Sequence, residues 1–112
     1  MPHDPFVCLE DAVAACELIL QFTQDMDEEQ YDADLKTQSA VERQFEIIGE
    51  ALNRIKHIDP TLLDRIDNWR EIIGFRNVIA HGYDVIENAI IWDSVLKDIP
   101  LLLVQLKQML NT

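Results

Sequence analysis

The sequence predicts an all-α fold, an antiparallel bundle of four to five helices, and three observations lead there. Apolar residues recur at helical spacing over long stretches. Glycine and proline are scarce, at three and four residues. No segment alternates polar and apolar residues as a half-buried strand does. With 112 residues, nearly half of them apolar, the chain is expected to form one domain over 1–112 around a single core.

Asp4 and Pro5 open the first helix, as N-cap and first-turn proline. Leu9, Val13, Cys16, Leu20 and Thr23 then recur along one stripe, as do Ala12, Ile19 and Met26. Leu18 and Phe22 widen that stripe, so this helix should pack against more than one neighbour. Asp25, Asp27, Glu28, Glu29, Asp32 and Asp34 follow and read as a solvated loop. They lack the ordered ligand spacing and the glycine of a calcium loop.

The second helix is predicted from about Thr37 to His57. Ala40, Val41, Phe45, Ile47, Ile48, Ala51, Leu52 and Ile55 cover roughly 160° of its circumference, with Glu42, Glu46, Glu50 and Asn53 opposite. Gln44 falls inside the stripe and needs a partner there, and Gly49 beside it suits close helix approach. Asp59-Pro60 begins a short turn or helix through Ile66. Asp67 or Asn68 then caps a third helix, from Trp69 to between Ala80 and Gly82. A fourth helix is predicted over about Ile86 to Lys97. Asp98-Ile99-Pro100 starts a fifth, with Leu101, Val104 and Leu106 among its apolar positions.

Composition narrows the function. Twenty-one acidic residues against nine Lys and Arg give a net charge of −12, the opposite of a general nucleic-acid binder. An RNA-directed activity then needs a local positive groove, yet Arg43, Arg54, Arg65 and Arg70 are scattered through the helices. Cys8 and Cys16 lie about 12 Å apart along one helix, too far for a disulfide, and read as small core residues. No second cysteine pair supplies a zinc site. No apolar run approaches the ~20 residues that span a bilayer, and MPHDPF lacks the opening of a secretion signal. A cytoplasmic protein is therefore expected. His3 and His57 read as surface residues.

The third helix carries the groups that call for explanation. With Trp69 at zero on a helical wheel, Ile72, Ile73, Phe75, Val78, Ile79 and Ala80 spread over one broad apolar side. Arg76 falls at about 340°, in its middle. A guanidinium cannot lose its proton, so either it is paired or this side borders a crevice. Asn77 and His81, four apart, share a more polar side. Arg76 and His81 lie about 140° apart on a regular helix. They converge only if the helix unwinds before Gly82, or if two copies face each other across a twofold axis.

Arg76, His81 and Tyr83 match the R-x4-H-x-Y motif of the HepT-like toxins, a family of HEPN-domain ribonucleases. The stretches KTQSAVERQFEIIGEAL (36–52), WREIIGFRNVIAHGY (69–83) and IIWDSVLKDIPLL (90–102) resemble the same family in order and spacing. The resemblance implies an all-helical homodimer with the motif cleft at its interface, cleaving RNA without a metal or cofactor of its own. It assigns proton transfer to His81, the grip on the scissile phosphate to Arg76, and the orientation of His81 or a phosphate oxygen to Asn77. Attack by the ribose 2′-hydroxyl, leaving a 2′,3′-cyclic phosphate, would exclude DNA. Structured RNA such as tRNA fits as a substrate.

The resemblance implies a partner as well. HepT-like toxins are one half of a toxin–antitoxin module of type VII character, in which a minimal nucleotidyltransferase antitoxin moves AMP from ATP to the motif tyrosine. Here that is Tyr83, where each AMP would add bulk and negative charge at the mouth of an anion-binding cleft. An alternative treats the chain as a catalytically weak interaction module that binds the nucleotidyltransferase and accepts its AMP. A structural account also stands, with His81 favoured by a helix C-terminus, Arg76 paired to a buried Glu, and Tyr83 packed beside the helix end.

Overall fold

The computed structural model describes residues 4–81 and 87–111, and for Arg76 and residues 78–81 the backbone alone. Among these residues the chain is all-α: α1 (Pro5–Phe22), α2 (Glu28–Asp32), α3 (Leu35–Ile58), a 3₁₀ turn (Pro60–Arg65), α4 (Trp69–His81) and α5 (Asn88–Leu110). Among the described residues no helix is long and apolar enough to cross a membrane.

The first helix begins as its sequence indicates, with the Asp4 carboxylate accepting the Phe6 N–H at 2.9 Å and Pro5 in the first turn. Leu9, Ala12, Cys16 and Ile19 are buried against α3 and α5, so α1 does have two neighbours. Leu18 and Phe22, placed on the widened stripe, remain 36% exposed. Both cysteines are buried and free, and burial pushes the Cys16 thiol up to about 12.

Two expectations need correction. The acidic stretch is not all loop: it contains α2, built on a capping box. Asp27 accepts the Gln30 N–H at 2.8 Å, and the Gln30 side chain accepts the Asp27 N–H at 2.9 Å. Tyr31 fixes this short helix, fully buried with its ring 5.2 Å from that of Trp92 in α5. The Gln38 amide, from α3, donates to the Tyr31 and Asp32 carbonyls. Gln38 is thus the buried glutamine of α3, whereas Gln44 is half-buried.

The predicted fourth and fifth helices are one helix, α5, with Pro100 inside it. Proline removes one hydrogen-bond donor and crowds the preceding turn. Here the burial of Ile91, Trp92, Val95, Ile99, Leu102, Leu106 and Met109 along one stripe outweighs that cost. Pro100 itself is exposed, as are Leu101 and Val104, which the split-helix reading counted among the apolar positions of the fifth helix.

α3 runs two residues earlier and one later than predicted and is the central helix. Val41, Phe45, Ile48, Ala51, Leu52 and Ile55 are buried, and Gly49 with them. From Gln44 to Asn53 no residue is more than partly exposed, because α1 covers one side and α4 another. α4 returns antiparallel along α3: the Phe75 ring meets Phe45 edge-on at 5.7 Å, while Trp69 lies beside Lys56.

Candidate functional site on the flanking helix

α4 is anchored at its start. The Asp67 N–H donates to the Gln105 side chain at 3.0 Å, and the Asn68 amide donates to the Asp98 carbonyl at 3.1 Å, both on α5. Asn68 holds the N-cap position, since its carbonyl accepts the Ile72 N–H at 3.3 Å. Its side chain, however, ties α4 to α5 instead of capping, and its Oδ1 is buried with no hydrogen-bond partner among the described residues. Asp98 is held in turn by the Ser94 hydroxyl at 2.8 Å. The helix then rests on α3 through buried Ile72 and half-buried Trp69, Ile73 and Phe75.

Arg76, Asn77 and His81 all belong to this helix, which stays helical through His81. Asn77 is exposed and shares a side of the backbone with His81, four residues on. Arg76 and His81, five apart on continuous helix, have their Cα positions about 140° apart and roughly 7.5 Å along the axis. Unwinding before Gly82 does not bring these two together within the described residues. Tyr83 lies outside the described residues, as does His3.

Across from this end of α4, the matching stretch of α3 carries half-buried Glu42 and Glu46. Burial, and secondarily the charge of Glu46, raises the Glu42 carboxyl above the ordinary range. Arg43 pairs with Glu46 at 2.9 Å. A shallow acidic cleft of about 550 Å³ opens elsewhere, lined by Glu28, Glu29, Asp32, Glu87 and Asn88, where the Asn88 amide donates to Asp32 at 3.0 Å. Among the described residues no three His, Cys, Asp or Glu side chains are grouped as a metal site. His57 is exposed, with Nδ1 2.8 Å from the Asn53 carbonyl.

One cluster escaped sequence reasoning. The half-buried Trp69 ring has the Arg70 guanidinium 4.5 Å and the Lys56 ammonium 5.8 Å from its centroid. The adjacency of Trp69 and Arg70 was visible in the chain. That Lys56 joins them depends on how the 3₁₀ turn folds α4 back along α3.

A helical bundle whose flank helix carries Arg76, Asn77 and His81 is the class that fold and site define. The chain belongs to the HepT-like ribonuclease family, whose model, described as "Ribonuclease HepT-like", matches residues 13–109. It is 40% identical over 92 residues to a protein of Thermococcus cleftensis named "Probable ribonuclease HepT", covering 82% of this chain and 83% of that one. It is 32% identical over 105 residues to "Putative RNase TTE0752" of Caldanaerobacter subterraneus subsp. tengcongensis, covering 92% and 91%. "Putative RNase MJ1380" of Methanocaldococcus jannaschii is 31% identical over 94 residues, covering 82% and 84%. No solved structure matches the chain.

Proposed function

We propose that this chain is the toxin half of a two-gene toxin–antitoxin module, a metal-independent endoribonuclease acting in the cytoplasm as a homodimer. The observation that carries the reading is the R-x4-H-x-Y spacing of Arg76, His81 and Tyr83 within the family match of 13–109. The continuous helix through His81 supports a two-chain site, because it keeps Arg76 and His81 of one chain on different sides. Arg76 of one protomer grips the scissile phosphate and stabilises charge on its oxygens. His81 of the other takes the 2′-hydroxyl proton as that oxygen attacks phosphorus. The bond from phosphorus to the 5′-oxygen breaks, the proton held by the imidazolium passes to the departing 5′-oxygen, and a 2′,3′-cyclic phosphate remains. Asn77, one turn before His81, orients the imidazole or a phosphate oxygen. DNA, lacking the 2′-hydroxyl, is not cut.

Tyr83 is the off-switch. The nucleotidyltransferase antitoxin transfers AMP from ATP to its phenol oxygen with release of pyrophosphate, and the added phosphodiester repels and blocks RNA. The net charge of −12 favours a second reading, an AMP-accepting binding module with little nuclease activity. Expression without the partner separates the two. The nuclease reading expects growth arrest relieved by Arg76→Ala or His81→Ala, and unchanged growth with the unsubstituted chain would contradict it. Intact mass after coexpression with the nucleotidyltransferase should show AMP increments that Tyr83→Phe abolishes.

A further inference from the structure

Carboxylates outnumber Lys and Arg by 21 to 9, so potential acidic partners are plentiful. Arg43 pairs with Glu46, Lys97 with Asp93 and Lys107 with Glu17. Lys36, Arg54 and Arg65 have no ion pair among the described residues, and neither do Lys56 and Arg70. Lys56 and Arg70 are exposed, and both lie against Trp69 instead. Lys56 occupies the last turn of α3, where the helix C-terminus favours a cation; Arg70 occupies the first turn of α4, where it does not. Helix electrostatics alone therefore explains one of the pair.

The position of the cluster gives it a use. Trp69 precedes Arg76 by seven residues of unbroken helix, about 10.5 Å along the axis and within roughly 20° of the same stripe. We propose that Trp69, Lys56 and Arg70 form a subsite for the single-stranded RNA that flanks the scissile linkage, Trp69 stacking a base and the two cations holding adjoining phosphates. An aromatic ring beside paired cations is the usual composition of a single-strand platform. The Lys56 ammonium sits near the outer limit of attraction to the ring, so a base can replace it there while it turns to a phosphate. The subsite rests on the ribonuclease reading for its choice of ligand. It also supplies the local positive surface that an acidic RNA-binding chain requires.

Binding is measured on His81→Ala, which blocks turnover, by the anisotropy of a labelled unstructured RNA over a range of salt. Adding Lys56→Ala and Arg70→Ala is expected to weaken binding at least about tenfold. It should also lower the slope of log K against log salt by about 1.4, the signature of two lost phosphate contacts. In a Trp92→Phe background, RNA should quench the remaining emission, that of Trp69. Both added substitutions fall on exposed residues, and unchanged thermal melting verifies their fold; Lys56→Glu with Arg70→Glu should weaken binding further. Unchanged affinity and slope with no quenching would overturn the subsite, as would loss of binding to an acidic protein with RNA binding retained. Cleavage by the unsubstituted chain is scored separately. Cutting that ignores Lys56 and Arg70 sinks only this proposal; binding through them without cutting sinks only the nuclease.

Discussion

α3 and α4 lie antiparallel against each other yet differ in how much of each is covered. α3 has no exposed residue between Gln44 and Asn53, with neighbours on several sides. α4 rests chiefly on α3, fully buries Ile72, and leaves Arg70, Glu71, Gly74 and Asn77 exposed. Arg76, Asn77 and His81 belong to the less covered of the two helices. Polar groups that must meet a substrate are cheapest where a helix has one side packed and the rest free for a ligand or a second chain.

Several substitutions would break or sharpen that contrast. The largest effect should fall on activity at α4: His81→Ala or Arg76→Ala should lower RNA cleavage about 10²–10⁴-fold, read by gel with product-end analysis, without loss of folding. On α3 the sign reverses in kind. Phe45→Ala removes a fully buried ring and should cost about 3–5 kcal/mol in urea denaturation. Asp27→Ala breaks the capping box of α2 and should cost about 1 kcal/mol by the same measurement. Gly74→Ala should instead stabilise by about 0.5–1 kcal/mol, since a Cβ there meets nothing within 4 Å and the helix gains a better former.

The smallest effects concern pH, and two carboxylates, Asp34 at the N-cap of α3 and Glu42 within it, should act in opposite directions. Hydrogen bonds from the Thr37 backbone and hydroxyl hold Asp34 below the ordinary carboxylate range. Its contribution is present above that range and is lost as pH falls through the lowered value. Glu42, raised by burial and by Glu46, binds its proton more tightly when folded, so stability declines as pH rises from the ordinary value through the raised one. Asp34→Asn should remove the first slope and Glu42→Gln the second, in denaturation curves taken across the acidic range.

Helix boundaries marked by local signals could be read directly. Asp4-Pro5, the stripe from Val41 to Ile55 and the start at Trp69 all stand within a residue or two of where chemistry put them. Two features could not be read locally. The capping box of α2 is hidden in a charge run, and the residue that stabilises it, Tyr31, does so through Trp92 far along the chain. Pro100 looks like a helix start until the apolar stripe on both sides of it is seen as continuous. The motif was legible only through its resemblance to a family, because periodicity alone left Arg76 as either a paired core cation or a cleft residue. Lys56 beside Trp69 needed the folded hairpin.

The decisive measurement mixes two inactive proteins. On the proposed homodimer, Arg76→Ala and His81→Ala chains, unfolded together and refolded as an equal mixture, should form hybrid dimers alongside the parents. If each site draws its arginine from one protomer and its histidine from the other, a hybrid keeps one intact site, and the mixture should regain roughly a quarter of full RNA cleavage. A mixture no more active than either parent, while the unsubstituted chain cuts RNA, would contradict the two-chain site.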